Sequence, residues 1–192
     1  MILLPNSRFL CVPKTASLWT SNAILKSVEG SRGTGLSNTN YHAHRANAPG
    51  CHLPTFATVR HPAGWYGSYW NHRKRSGPRA KTVIDTIQAE SKTFEEFVMG
   101  CSSKSSGWLS RAVENWVGPP EDEIDFVGRF ENVMSDIVFA LVKFGESFEL
   151  PKIEEEPRKN VSNYEVFPAA WTDEMRQAIC DSERKIIERF YS

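Results

Sequence analysis

The sequence lacks three features that would place it in a specialised class of proteins. Its 192 residues carry no net charge, with 23 Lys and Arg against 23 Asp and Glu, whereas a general nucleic-acid coat protein is usually basic overall. No apolar run approaches the roughly 20 residues that span a bilayer. The opening residues, MILLPNSRFLCVP, are interrupted too soon by Arg8 and Lys14 for a signal peptide. We therefore expect neither a nucleic-acid nor a membrane partner.

Cysteine is scarce as well, and no metal motif is present. The four cysteines, at positions 11, 51, 101 and 180, form neither a CxxC pair nor a zinc pattern, and the chain contains no HExxH. We expect reduced thiols, most of them in the core, a cytoplasmic location and no bound metal. The length and the 40% hydrophobic content predict one globular domain over residues 1–192.

The neutral total conceals an uneven distribution of charge along the chain. Residues 1–92 contain 12 basic and three acidic side chains, and residues 93–192 contain 11 basic and 20 acidic ones, so the two parts carry formal charges of +9 and −9. A basic and apolar-rich part indicates an anionic ligand held there.

Short apolar runs alternate with helical patterns. Strands are predicted at 8–12, 55–59 and 124–127, and helices at 17–29, from Pro62 to about 70, and at 83–100, 108–117, 131–144 and 172–191, with Thr172 as an N-cap. Residues 30–40, 71–81 and 151–168 are predicted loops, the second of them basic and mobile. The alternation predicts an α/β, P-loop-like three-layer domain with a small, mostly parallel sheet flanked by helices.

Two junctions between a strand and a helix are suited to an anion. In PKTASLW, residues 13–19, a positive Lys14 and the hydroxyls of Thr15 and Ser17 stand at a helix N-terminus, where unpaired N–H groups favour phosphate or sulfate. In RHPAGWYGS, residues 60–68, Arg60 could bind a phosphate through two hydrogen bonds. Taken alone, each segment could also be structural, as a helix cap or as a paired arginine.

The two segments in this order resemble those of the sulfotransferases that use 3′-phosphoadenosine 5′-phosphosulfate (PAPS). PKTASLW is similar to their 5′-phosphosulfate loop, with Leu18 where a hydroxyl is common, and RHPAGWYGS is similar to their 3′-phosphate motif. VGRFEN, residues 127–132, and RKNVS, residues 158–162, resemble two further segments of the family. The resemblance covers about residues 8–190.

This resemblance implies transfer of a sulfuryl group from PAPS to an acceptor hydroxyl, with release of adenosine 3′,5′-bisphosphate. Lys14 would stabilise the charge that develops on the leaving phosphate. The other residues that the resemblance assigns to the nucleotide are Thr15, Ala16, Ser17, Leu18 and Trp19 around the phosphosulfate, Arg60 and Ser68 at the 3′-phosphate, and Arg158, Lys159 and Ser162 in a loop that closes over it.

A base and an acceptor are implied by a third segment. Tyr41-His42-Ala43-His44 resembles the Tyr-His-Gly-His segment of the uronyl 2-O-sulfotransferases, which makes His44 the first candidate for the general base and His42 the second. A carboxylate such as Glu29 is an alternative base. The acceptor expected from this analogy is a carbohydrate, and the basic segment 71–81 would suit an anionic saccharide, although such a segment is more simply a solvated loop.

Two other functions compete with sulfuryl transfer. A kinase-like phosphotransferase is disfavoured because the glycines of GxxxxGK[ST] are missing and no carboxylate for magnesium evidently follows a strand. A non-catalytic module that binds a nucleotide or polyanion would keep the anion site and lack turnover. Lys14 and His44 separate these functions, because only an enzyme needs both residues for chemistry.

Overall fold

The computed structural model describes residues 1–33, 50, 52–77, 81–158 and 165–192. The chain divides into two compact units, each formed from two separate segments. The first unit comprises Met1–Arg60 and Ala112–Asn160, and the second comprises His61–Arg111 and Val161–Ser192. A single domain over residues 1–192 stays a prediction.

The strands lie early in the chain, apart from one, and helices make up most of the remainder. The strands are β1 (Ile2–Leu3), β2 (Arg8–Leu10), β3 (Arg32–Gly33), β4 (Thr55–Val59) and β5 (Phe126–Arg129). The helices are α1 (Ser17–Ser27), α2 (Pro62–Ser76), α3 (Val83–Glu90), α4 (Phe94–Lys104), α5 (Trp108–Val117), α6 (Val133–Lys143), α7 (Leu150–Glu154), α8 (Asp173–Ser182) and α9 (Arg184–Phe190). Short 3₁₀ turns occupy Pro120–Asp122 and Phe130–Asn132.

All five strands belong to one sheet in the first unit, in the order β3-β1-β2-β4-β5. Strand β4 pairs in parallel with β2 and β5, whereas β1 pairs antiparallel with β2 and β3. The α/β class with a small sheet flanked by helices is confirmed. The sheet is mixed, so the prediction that it is mostly parallel is not confirmed. The physical reason is the tight turn between β1 and β2, closed by Leu4 N–H donating to the Ser7 carbonyl, since only antiparallel strands can be joined so closely.

The core of the first unit lies between the sheet and helices α1, α6 and α7. Phe9 of β2 and Phe56 of β4 are fully buried, and their ring centroids lie 5.3 Å apart. Ile24 of α1 and Ile137 of α6 are buried in the same cluster. This packing fixes the strand ends and the start of α1, which carry the predicted anion-binding residues.

The second unit is helical and has an aromatic core. Trp65 and Tyr69 of α2 stack with ring centroids 5.0 Å apart, and Trp70 lies 5.5 Å from Phe97 of α4. The rings of Trp65 and Trp70 are buried. The buried Glu183 carboxylate adds a polar anchor, because it accepts hydrogen bonds from the Tyr66 hydroxyl and from two N–H groups at the start of α5.

The prediction that residues 71–81 form a mobile loop is wrong for residues 71–76, which continue α2. Arg73 is buried, and its Nη2 donates to the Gly77 carbonyl at 2.9 Å. The Lys74 ammonium lies 4.1 Å from the centroid of a Trp70 ring and donates to the Ser91 carbonyl. These contacts hold Arg73 and Lys74 on the helix, which ends at Ser76 and is followed by Gly77 with φ 81°.

Three other predicted elements differ from the structure. The pattern at 83–100 forms two helices, because Thr93 accepts a hydrogen bond from Glu96 N–H and starts α4. The predicted loop at 151–168 begins within α7. The pattern at 172–191 is divided at Glu183, although Thr172 caps α8 as predicted, accepting from Met175 N–H at 3.2 Å. Within the ranges that the structure describes, no helix has the length and apolarity needed to cross a bilayer.

Candidate functional site

The loop that joins β2 to α1 has an unusual backbone. Cys11 and Val12 continue the buried strand, and the chain then turns through Lys14 at φ 67° and Ala16 at φ 58°. An L-residue in this left-handed region costs about 1–2 kcal/mol, so it persists only where the surrounding structure holds it. Two such residues in three positions mark this loop as a strained segment of the kind that accompanies ligand sites.

Thr15 lies between the two left-handed residues and points into the protein. Its side chain is 1% exposed, and its Oγ1 donates to the Val12 carbonyl at 2.9 Å. From β4, the Thr58 hydroxyl lies 3.2 Å from the Thr15 carbonyl oxygen and 3.1 Å from its Oγ1, and donates to both. The Thr15 hydroxyl therefore fastens the loop to the sheet, and a contact from Thr15 to a ligand would come from its backbone.

The N-terminus of α1 offers N–H groups without a side-chain cap. Ala16 is the N-cap residue, and it has no side chain that could accept a hydrogen bond from the first turn. No acidic residue stands in that turn either. The 11-residue helix therefore presents the positive end of its dipole beside Lys14, an arrangement that favours an anion.

Arg60 connects the second predicted motif to this loop. It follows β4, and its Nη1 donates to the Lys14 carbonyl at 3.2 Å. Its guanidinium carbon lies 3.9 Å from the centroid of the Phe130 ring, which follows β5. The Arg60 guanidinium is thus brought to the backbone of Lys14, which lies 46 residues earlier in the chain and belongs to the same unit.

The remaining residues of the first motif divide between core and surface. Trp19 is 5% exposed, and its Nε1 donates to the Glu156 carbonyl at 2.8 Å. Ser17 is buried, whereas Leu18 is 37% exposed. The Trp19 ring thus ties α1 to the segment that leads toward Arg158, and any contact it makes to a phosphosulfate would be through its backbone.

No model of a known family, no curated protein and no solved structure matches the chain. A functional assignment must therefore come from the residues themselves. Within the described ranges, no group of three or more His, Cys, Asp or Glu side chains is arranged to hold a metal ion.

The other residues predicted for the site lie away from this loop or outside the residues that the structure describes. Ser68 belongs to α2 of the second unit and is half-buried, and Arg158 and Glu29 are exposed residues of the first unit. The candidate bases His42 and His44, together with Lys159 and Ser162, lie outside the described residues. Their roles stay predictions.

Two residues of the site escape sequence reasoning. Thr58 looks like an ordinary strand residue, yet it is the buried partner of Thr15. Phe130 lies in the VGRFEN segment, but its contact with Arg60 could be found only from the register of β4 and β5. The register pairs Val59 with Arg129, so the residues that follow them are neighbours.

Proposed function

We propose that the protein is a sulfotransferase that moves a sulfuryl group from PAPS to a carbohydrate hydroxyl, and that β2, the loop and α1 form a P-loop-like nucleotide site. The acceptor oxygen forms a bond to sulfur while the bond from sulfur to the phosphate oxygen breaks, releasing adenosine 3′,5′-bisphosphate. Lys14 stabilises the negative charge that develops on that oxygen. His44, or His42 in its place, takes the proton of the acceptor hydroxyl.

One observation carries the proposal: the hydrogen bond from Arg60 to the Lys14 carbonyl. The resemblance assigns Lys14 to the 5′-phosphosulfate and Arg60 to the 3′-phosphate, so a nucleotide with phosphates at both positions needs both cations nearby. The uncapped first turn of α1 supports the same proposal, because it adds N–H donors and a positive dipole end next to Lys14.

The setting proposed for this enzyme is the cytoplasm. Among the described residues, Cys11, Cys101 and Cys180 form no disulfide, and the first two are buried. Reduced, buried cysteines are typical of proteins in a reducing compartment. The proposed acceptor is an acidic saccharide, because the basic residues between positions 71 and 81, among them the exposed Arg75 at the end of α2, would attract it.

The first experiment measures nucleotide binding by calorimetry and thermal shift. Adenosine 3′,5′-bisphosphate without metal should bind better than ATP with magnesium, and at a hundredfold excess over its Kd it should stabilise the fold by about 2.7 kcal/mol. A preference for ATP with magnesium would indicate the kinase-like function instead. Binding of the bisphosphate with no transfer to any acceptor would indicate a non-catalytic module.

The second experiment tests Lys14 by following radioactive sulfate from PAPS into acidic and neutral oligosaccharides. We expect Lys14→Ala to lower the transfer rate by a factor of about 100–1000, the usual effect of removing one group that stabilises transition-state charge. Lys104→Ala, an exposed lysine of α4, is the matched control and should act like the parent. His44→Ala should slow transfer while leaving the Kd of the bisphosphate unchanged. Parental rates in the Lys14 variant would contradict the assignment.

A further inference from the structure

The side chain of Arg60 is held on two sides by residues of the first unit. One N–H donor, on Nη1, is directed to the Lys14 carbonyl at 3.2 Å. The guanidinium carbon lies over the ring of Phe130, 3.9 Å from the ring centroid, a separation that fits stacking of the flat guanidinium on the ring. This distance is well inside the 6 Å or so over which a cation and an aromatic face attract one another.

The pairing of the strands produces this contact. β4 and β5 run parallel with Val59 opposite Arg129, so Arg60 and Phe130 leave the same end of the sheet side by side. The 3₁₀ turn Phe130–Asn132 begins at this point and directs the chain toward α6. Phe130 is half-buried, and its ring lies against the Arg60 guanidinium.

A contact through the face of a guanidinium has a particular consequence for binding. It uses none of the N–H donors, which lie in the plane of the group and form the fork that binds a phosphate through two hydrogen bonds. It also restricts rotation of a long side chain, which would otherwise lose its freedom when the ligand binds. A stacked arginine thus has its plane set before the ligand arrives.

We propose that Phe130 is a positioning residue that makes the site selective for a nucleotide with a 3′-phosphate, by orienting Arg60. This inference rests on the proposed function, in which Arg60 binds that phosphate. An adenosine nucleotide phosphorylated only at the 5′ position does not use Arg60. Its affinity should therefore be indifferent to the ring of Phe130.

The test is calorimetric titration with adenosine 3′,5′-bisphosphate and with adenosine 5′-monophosphate. The quantity compared between variants is the Kd of the monophosphate divided by the Kd of the bisphosphate, which measures the preference for a 3′-phosphate. We expect Phe130→Leu to reduce this ratio about fivefold through the bisphosphate alone, as expected for loss of one cation–π contact. Phe130→Tyr retains the ring face and should retain the ratio. Phe139→Leu, in which an α6 side chain 55% exposed is shortened in the same way, should behave like the parent.

Each other result overturns the inference. An unchanged ratio in Phe130→Leu means that the ring does not set the selectivity, and equal weakening of both nucleotides means that it touches adenine or only supports the fold. Should Phe130→Leu fail to fold, Phe130→Met is judged by the same criterion. If the parent protein has no preference for the bisphosphate, the proposed function itself fails, and this is known before any variant is titrated.

Discussion

Replacing Ala16 with glycine tests the strained backbone of the candidate site. Ala16 has φ 58° and ψ 20°, where a side chain costs about 1–2 kcal/mol that glycine avoids. Glycine loses more conformational freedom on folding than alanine does, and this loss offsets about 0.4–1 kcal/mol of the gain in stability. The methyl group is half-buried against the core, so its removal costs about half of the ~0.8 kcal/mol of a buried CH₂. Ala16→Gly should therefore stabilise the protein by about 0.5 kcal/mol.

The matched control is Ala112→Gly, which removes the same atoms from the same unit. Ala112 is also half-buried, but it lies in the middle of α5 with ordinary helical geometry. Glycine is about 1 kcal/mol less favourable there, and the lost methyl contact adds to that cost. The change in the free energy of unfolding relative to the parent should be positive for Ala16→Gly and negative for Ala112→Gly, with a difference of about 2 kcal/mol between them. Urea unfolding of the parent and both variants measures it.

The refuting result is a loss of stability in Ala16→Gly as large as that in Ala112→Gly. Such a result would mean that Ala16 is not in the left-handed region in solution, and that the loop does not store strain. Because glycine adopts the same backbone conformation, the Kd of adenosine 3′,5′-bisphosphate should stay at the parental value in Ala16→Gly.

Two further predictions concern the second unit. Burial opposes ionisation of Asp85, but the hydrogen bonds it accepts from Tyr69 and Thr82 outweigh burial, so that the pKa of Asp85 lies below its ordinary value. Its stabilising effect is present above the unfolded pKa of about 4 and is lost as the pH falls through the folded pKa, so Asp85→Asn should cost about 1–2 kcal/mol at pH 7. Urea unfolding at several pH values should show that the difference in unfolding free energy between the parent and Asp85→Asn shrinks in acid. A difference that does not change with pH would contradict this prediction. Glu183→Gln should cost about 2–3 kcal/mol at pH 7, since an amide cannot accept all the hydrogen bonds that the buried carboxylate accepts from Ser110 and its neighbours; a loss under 0.5 kcal/mol in the same assay would contradict this.

Elements with local signals are predicted well from the sequence. The β-branched and aromatic run that forms β4 is bounded by Pro54, and Pro62 begins α2 because its fixed φ suits a first helical turn. Thr172 caps α8 for an equally local reason. The basic end of α2 is missed because Arg73 and Lys74 depend on residues that are distant in the sequence, such as Asp85 and Ser91.

The candidate site is predictable in composition and not in geometry. The residues of PKTASLW and Arg60 can be selected from sequence because cations and hydroxyls follow strands at helix starts. The left-handed conformation of Lys14 and Ala16 cannot, since the residues that favour it, glycine above all, are absent. The contact of Arg60 with Phe130 requires the register of two strands that are 66 residues apart in the chain, and no local pattern encodes it.

The division of the chain into two units changes the meaning of its charge. The +9 and −9 parts do not correspond to the units, because each unit combines segments from both parts. By sequence, the first unit has 11 basic and 13 acidic residues, and the second has 12 and 10, so their formal charges are −2 and +2. A unit of charge −2 cannot attract an anionic nucleotide through its overall field. For the nucleotide proposed above, the attraction would have to be local, from Lys14, Arg60 and the first turn of α1.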